Sequence, residues 1–174
     1  MTQTLDAVEL ESAREMEGRS AGLWMRRLLL LLLAVVPVLA LFNVFGQTAS
    51  EAKVSSPQAT LTVRSPTHAR GGLLYEARFT IQVHQDIKQA TLNLGGGWAN
   101  GLTINTIEPT PSQEQSQHGE LSLQLGDLSA GDTFVLHMQF QVNPTTVGSR
   151  AQQVALLAGN TPLLNLTRHL TVWP

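Results

Sequence analysis

The chain contains no cysteine, and its 174 residues carry a formal net charge of only −2. The absence of cysteine excludes a disulfide framework and thiol chemistry. The small net charge leaves no basic patch of the kind that binds nucleic acid. A domain without disulfides must be stabilised by its apolar core.

Charge is also absent between residues 28 and 46, which read LLLLLLAVVPVLALFNVFG. At about 1.5 Å per residue, roughly nineteen residues form a helix of roughly 28 Å, close to the bilayer core of about 30 Å. The run from Leu28 through Pro37 to Phe45 is therefore predicted to span a membrane, within a segment placed at residues 23–46. Pro37 is tolerable there, because a lipid-embedded helix keeps nearly all its other backbone bonds internal.

Positive charge is concentrated on the amino side of this predicted span. Cations close to a span resist translocation, whereas acidic residues count for little. The first cation on the carboxyl side is Lys53, and those on the amino side are Arg14, Arg19, Arg26 and Arg27. We therefore predict a single-pass protein of the cytoplasmic membrane, with the amino terminus inside and the carboxyl-terminal domain outside.

A cleaved signal peptide is the alternative to a retained anchor. Ser50-Glu51-Ala52 provides a small-x-small site just beyond the apolar stretch, so cleavage after Ala52 stays open. The apolar run is longer than the about 7–15 residues of a secretory core, and the long acidic segment before it favours an anchor. In both cases the remainder of the chain is exported.

Two polar segments flank the predicted span. Residues 1–22 have mixed charge and few apolar positions, which indicates a cytoplasmic tail that is a short helix or disordered. Residues 47–58 are small and polar, and we predict that they form a stalk that holds the next domain away from the lipid.

From residue 59 onward the apolar residues recur at every second position, which is typical of strands with one buried face. The clearest strand runs from Phe134 to Val142. Seven or eight such strands predict that residues 59–174 form an all-β, immunoglobulin-like two-sheet sandwich. The proline- and glutamine-rich residues 109–117 are predicted to form a mobile loop at one end of it.

One stretch supports this fold class by resemblance. Residues 125–132 read LGDLSAGD, and they are followed by the alternating strand and by Asn143-Pro144. This text resembles the immunoglobulin-like modules of bacterial surface proteins, and the whole chain resembles uncharacterised single-pass bacterial proteins with one such domain. Gly126 and Gly131 would supply the positive φ of tight turns, while Asp127 and Asp132 could bond nearby backbone. The resemblance implies a fold and no activity.

The most unusual short stretch of the sequence is Gly95-Gly96-Gly97-Trp98. Three glycines lose conformational entropy on folding, so they indicate a sharp bend or the close approach of another backbone. Trp98 either fills the end of the core or contacts a partner, and the same two roles are open to Trp173. We take Trp98, Gly96, Gly97 and Trp173 as candidate partner contacts.

Several residues of types that carry chemistry also have simpler roles. Residues 18–22 match G-x-S-x-G, but the strand and helix that a nucleophile elbow needs are not predicted around them. His84, His137 and His169 lie on the polar side of their strands, where a surface metal site is a minor alternative. Four acidic residues could bind calcium or act as a general acid and base: Asp86, Glu108, Asp127 and Asp132. For Asp127 and Asp132, formation of a turn is the simpler explanation.

Two functions follow from these observations. The first is a non-catalytic, membrane-anchored interaction module that binds a membrane or cell-envelope protein, with no cofactor. The alternative is an envelope enzyme or carbohydrate-processing accessory that uses surface carboxylates such as Glu108.

Overall fold

The computed structural model describes residues 3–42 and 47–174, with side chains from residue 22 onward. The chain divides into two units, Met1–Gly46 and Gln47–Pro174. In its described residues the first unit forms the helix α1 (Gln3–Leu41), so residues 3–22 of the predicted tail are helical and continuous with the predicted span. Within α1, residues Gly22–Leu41 have a mean hydropathy of 2.1 and are long enough to cross a membrane, as an anchor or as a signal sequence.

The side chains of the predicted span are exposed along its described length. Leu28 is exposed, as a lipid-facing side chain would be, and Pro37 lies inside α1. Phe45 lies outside the described residues, and so do the side chains of Arg14 and Arg19. The guanidinium of Arg27 lies 5.9 Å from the ring centroid of Trp24, at the amino end of the apolar segment.

The second unit is an all-β sandwich of two sheets, which confirms the predicted immunoglobulin-like class. In chain order the strands are β1 (Ala49–Ser55), β2 (Ala59–Pro66), β3 (His68–Arg70), β4 (Leu74–Val83), β5 (Ile87–Leu94), β6 (Leu102–Glu108), β7 (Gln113–Gln117), β8 (Glu120–Leu128), β9 (Thr133–Val142), β10 (Gly148–Ala158) and β11 (Thr161–Trp173). One sheet has the strand order β1-β2-β4-β9-β6 and the other has the order β3-β11-β10-β5-β8-β7.

The core forms where the period-two faces of the two sheets meet. Strand β4 alternates exposed and buried positions along its length, and its buried side chains include Phe79 and Ile81. Strand β9 contributes Leu136, Met138 and Phe140 from the neighbouring strand of the same sheet. Burial of such side chains stabilises the fold by about 1.5–3 kcal/mol each. This is the source of stability expected for a chain without disulfides.

Eight of the eleven strands coincide with predicted strands, and the other three correct the prediction. Residues 47–58 are not a stalk, because β1 pairs with β2 along all seven of its residues. Residues 109–117 are not entirely a loop, because β7 pairs with β8. Strand β3 has only three residues and pairs in parallel with the end of β11.

Both glycines of residues 125–132 have the predicted positive φ, but only one of them lies in a turn. Gly131 is in the turn between β8 and β9 with a φ of +91°, whereas Gly126, with a φ of +86°, lies inside β8 where its register with β5 shifts. The carboxylate of Asp132 accepts a hydrogen bond from the backbone N–H of Ser129 at 2.9 Å, as predicted. Asp127 bonds another strand instead, accepting from the backbone N–H of Gln89 at 2.9 Å.

Candidate functional site

All four predicted contact residues lie at one end of the sandwich. We call this end, at which Gln47 leads into β1, the end face; it carries the turns 66–73, 95–101 and 143–147 together with Trp173. Its segments are joined by backbone bonds, from Gly71 N–H to the Trp173 carbonyl at 3.1 Å and from Asn143 N–H to the Gly101 carbonyl at 3.0 Å. The end face therefore brings together positions that are far apart in sequence.

Trp98 plugs the core and does not contact solvent. It follows Leu94 in a short 3-10 helix (Gly96–Trp98), and its side chain is fully buried. Its ring centroid lies 5.2 Å from that of Phe79 and 5.4 Å from that of Phe140. Burial removes Trp98 from the candidate partner contacts, because a partner cannot reach its side chain in this structure.

Gly97 lies against the backbone of β10. A Cβ atom at this position would be 1.9 Å from the carbonyl oxygen of Ala151, a distance that real Cβ atoms do not reach. The predicted close approach of another backbone is therefore confirmed. At Gly96 a Cβ atom would meet the side-chain amide of Asn100 at 2.9 Å, and that side chain can move. These glycines position Trp98, and a contact of either one with a partner stays a prediction.

Trp173 is exposed at the end face. Just over half of its surface, 55%, is accessible, and its ring stacks on that of His68 with centroids 6.3 Å apart. Across residues 47–174 the other exposed large apolar side chains are Leu73, Leu74 and Val147. All four lie at this end, so the end face carries the exposed apolar surface of the sandwich.

A second candidate site is a cleft of about 240 Å³ on the outer face of the six-stranded sheet. We call it the amide cleft, because six of its side chains are primary amides. It is lined by Gln89, Thr91, Asn93, Gln113, Gln115, Ser122, Gln124, Leu157, Gly159 and Asn160. The carbonyl oxygen of the Asn93 side chain is buried without a hydrogen-bond partner among the described residues. The cleft carries no charged side chain and can offer many donors and acceptors to a neutral ligand.

The amide cleft borders β7, which is an edge strand. The sandwich has four edges, and proteins protect edges with charge, bulges, proline or short length. Strand β3 is three residues long, β6 has a register shift between Ile104 and Thr106, and β1 carries Glu51 and Lys53. Strand β7 has regular pairing, no proline and a single charge at Glu114. It is the least protected edge of residues 47–174.

The geometry of the β7–β8 hairpin shows which backbone groups face the open edge. His118 and Gly119 have φ values of +52° and +79°, as in a two-residue type I′ turn closed by the pair Gln117 and Glu120. Such a closing pair exchanges both hydrogen bonds, and hydrogen-bonded pairs then alternate along the strands. The N–H and C=O groups of Glu114 and Ser116 therefore point away from β8.

A buried cation links the two sheets. Arg168 of β11 is 6% exposed, and its guanidinium donates to the hydroxyl and the carbonyl of Ser65, to the carbonyl of Pro66 at 3.1 Å and to the hydroxyl of Ser50 at 3.3 Å. Burial lowers the pKa of the guanidinium from its usual value. The oxygen partners lie on β1 and β2 of the opposite sheet, so Arg168 acts as a clamp between the sheets.

A buried phenol lies beside this clamp. The side chain of Gln152 donates to the hydroxyl oxygen of Tyr75 at 3.3 Å. Burial raises the pKa of Tyr75 to about 12, and the Gln152 bond and the Arg168 charge oppose the rise without cancelling it. No sequence pattern predicted this cluster, whose residues are positioned to stabilise the core.

The predicted acid and histidine candidates are dispersed. Asp86 accepts from the backbone N–H of Ala130 at 2.8 Å, and Asp127 also pairs with Lys88 at 3.0 Å. His137 Nδ1 lies 2.7 Å from the carboxylate of Glu76, and His84 Nε2 lies 2.9 Å from the hydroxyl of Thr60. Within the described part of the chain no three His, Asp or Glu side chains come together as metal ligands.

No protein-family model and no curated protein matches the chain. Among solved structures, the CARDB domain of a Pyrococcus furiosus protein is 14% identical and has a TM-score of 0.45, over 68% of this chain and 97% of that one. AvmM, which catalyses macrocyclization in alchivemycin A biosynthesis, is 8% identical with a TM-score of 0.44, over 74% and 90% of the two chains. The human F-spondin reeler domain is 11% identical with a TM-score of 0.42, over 63% and 83%. These similarities are too distant to carry function.

Proposed function

We propose that this protein is a membrane-anchored, non-catalytic interaction module, whose exported sandwich binds a membrane or cell-envelope protein by adding an extended segment of that partner to β7. The observation that carries the proposal is the open edge of β7. Addition of a strand to an exposed sheet edge is a common mode of protein recognition, in which main-chain bonds supply affinity. The partner segment would pair with the backbone groups of Glu114 and Ser116.

The amide cleft supplies the contacts that select the partner. Gln113 and Gln115 of β7 line the cleft, and they lie opposite Gln124 and Ser122 of β8. Side chains of a strand added to β7 would alternate between the cleft side and the opposite side of the sheet. The uncharged lining favours polar, neutral side chains over ionised ones at the positions that face the cleft.

The apolar segment of α1 supplies the anchor in this proposal. No other part of the described helix covers the surface of this segment, and the stretch Gly22–Leu41 is 0% buried. Arg26 and Arg27 lie at its amino end and favour retention of that end in the cytosol. The sandwich and its β7 edge would then face the extracytoplasmic side of the membrane.

Crosslinking in living cells tests the site. The variant Gln115→p-benzoylphenylalanine places a photoreactive group on the cleft side of β7, and Gln82→p-benzoylphenylalanine is the control on the exposed face of the other sheet. We expect one dominant partner protein from position 115 and none from position 82. Equal and diffuse labelling from both positions would contradict the proposal.

Two substitutions at one residue separate backbone pairing from side-chain contact. Ser116→Pro removes the outward N–H at an edge position where proline is tolerated, whereas Ser116→Ala keeps that N–H. With the position-115 crosslinker present, we expect S116P to abolish the crosslink and S116A to retain it. The melting temperatures of both variants check that the sandwich is folded. Retained crosslinking in folded S116P would show that the partner does not pair with this edge.

A further inference from the structure

The exposed apolar side chains of the sandwich are confined to the end face. Leu73 and Leu74 are each 48% exposed, Trp173 is 55% exposed and Val147 is 58% exposed. Single exposed apolar residues are ordinary on a protein surface, but a group of them marks a contact with a protein or a membrane. Their confinement to one of the two ends requires an explanation.

The chain path brings three of these side chains into one patch. Gly148 pairs with Val172, so Val147 lies beside Trp173 at the end of the same ladder. The N–H of Gly71, two residues before Leu73, donates to the carbonyl of Trp173. Trp173, Val147 and Leu73 therefore surround the point where β11 ends.

The segments that form this patch carry no acidic side chain, although Glu76 lies two residues beyond Leu74 and Glu120 follows the neighbouring turn at residues 118–119. The segments 66–74, 95–101, 143–150 and 171–173 contain no aspartate or glutamate. Their ionisable residues are His68, Arg70 and Arg150, and Arg70 lies opposite Trp173 in the β3–β11 ladder. An apolar patch with tryptophan and arginine at its rim matches the composition that proteins place at a membrane surface, especially one with anionic lipid.

The covalent chain holds this end near lipid if α1 is a membrane anchor. Gln47 follows Leu41, the last residue of α1, by only six residues, and six extended residues span at most about 21 Å. The opposite end of the sandwich, at the turns 56–58 and 129–132, lies a strand length further from this connection. A lipid surface is thus the occupant that is always within reach of the end face.

We infer that the end face docks on the membrane surface, with Trp173, Val147 and Leu73 at the level of the lipid headgroups and Arg70 near lipid phosphates. This inference rests on the membrane anchor of the proposed function. Docking by the end face would leave β7 and the amide cleft on the side of the sandwich, accessible to a partner.

Tryptophan quenching in nanodiscs tests the inference with the full chain. The protein has three tryptophans, so W24F leaves Trp98 and Trp173, W173F leaves Trp24 and Trp98, and the double variant leaves the buried Trp98 alone. Each is placed in nanodiscs of phosphatidylcholine and phosphatidylglycerol, with or without bromine on the acyl chains close to the headgroup. We expect brominated lipid to quench W24F and W173F and to leave the double variant unchanged.

The outcomes separate docking from anchoring. Quenching of W173F without quenching of W24F would show an inserted helix and an undocked end face, and would overturn the inference alone. No quenching of either variant would overturn both the anchor and the docking. In the W24F background, Val147→Asp should reduce quenching of Trp173 because it places a carboxylate at the patch, whereas Gln58→Asp at the opposite end should not. Equal effects of the two substitutions would also contradict docking.

Discussion

At the scale of single residues, Gly97 and Gly96 differ although they are neighbours. A side chain at position 97 would overlap the backbone of β10, whereas one at position 96 meets the movable end of Asn100. We expect G97A to lower the free energy of unfolding by at least about 2 kcal/mol and G96A to change it by less than about 1 kcal/mol. Chemical denaturation of the two variants measures the difference. Equal stability would mean that the turn 95–101 can move away from Ala151.

The phenol of Tyr75 has different pKa values in the folded and unfolded chain. Tyr75 is the one tyrosine of the chain, so tyrosinate absorbance reports it alone. Burial holds its pKa at about 12 in the folded protein, against about 10 in an unfolded chain. The unfolded state therefore releases the phenolic proton first. The contribution of the Tyr75 titration to the free energy of unfolding is therefore complete below about pH 10 and is lost as the pH rises towards 12.

The expected loss is on the order of 2–3 kcal/mol across that interval. Absorbance titrations with and without urea give the two pKa values, and denaturation at pH 9 and near pH 12 gives the change in stability. Y75F is the control, because it lacks the titrating group and should lose less stability over the same interval. A folded-state pKa close to 10 would show that the phenol is open to solvent.

The alternation of buried and exposed positions along a strand explains which buried residues could be predicted. The burial of Trp98 in the core and the close approach of a backbone to Gly97 could be predicted, because three glycines followed by a tryptophan are rare at the end of a strand. Arg168 shares parity with Leu164, Leu170 and Val172, so the sequence already places it on the buried face of β11. The charge of Arg168 argued against a buried position, because arginine is rarely fully buried. Its oxygen partners come from distant strands, and no local pattern reveals them.

At the scale of elements, β1 and β7 were missed for the same physical reason. Both are edge strands with no fully buried position. Strand β1 alternates exposed and half-buried positions, but Val54 is its one large apolar residue, and β7 is exposed at all five positions, so neither gives a strong alternation of apolar and polar residues. The interior strands each have one face in the core and were predicted correctly. The turn His118-Gly119 was the one local signal for the β7–β8 hairpin, because glycine there permits positive φ.

Strand β1 is part of the folded domain, because it pairs with β2 along its whole length. A fragment of residues 59–174, which matches the predicted domain, should be less stable than a fragment of residues 47–174. Loss of β1 removes its pairing with β2, the packing of Val54 against the core and the bond between Ser50 and Arg168. Thermal unfolding of the two fragments measures the effect. Equal melting temperatures would show that β1 is dispensable.

At the scale of the whole molecule, orientation is the property on which the proposed function depends. With the arginines retained inside, alkaline phosphatase fused after Pro174 should be active, because it folds only outside the cytosol. A green fluorescent protein at the same position should be dark when exported in unfolded form. The reverse pattern would place the sandwich inside the cell. The described structure supports an apolar helix of sufficient length, and the reporters test which side its ends face.

Gln47 and Trp173 lie at the same end of the sandwich, and this has a mechanical consequence. Strand β1 begins at that end, where Ala49 pairs with Pro66. A force that separates Gln47 from Trp173 would act across the strands and would load the β1–β2 ladder one pair at a time, as in unzipping. Strand β1 would then detach under tension before the rest of the domain, and stretching the domain between these two residues would expose the edge of β2 first.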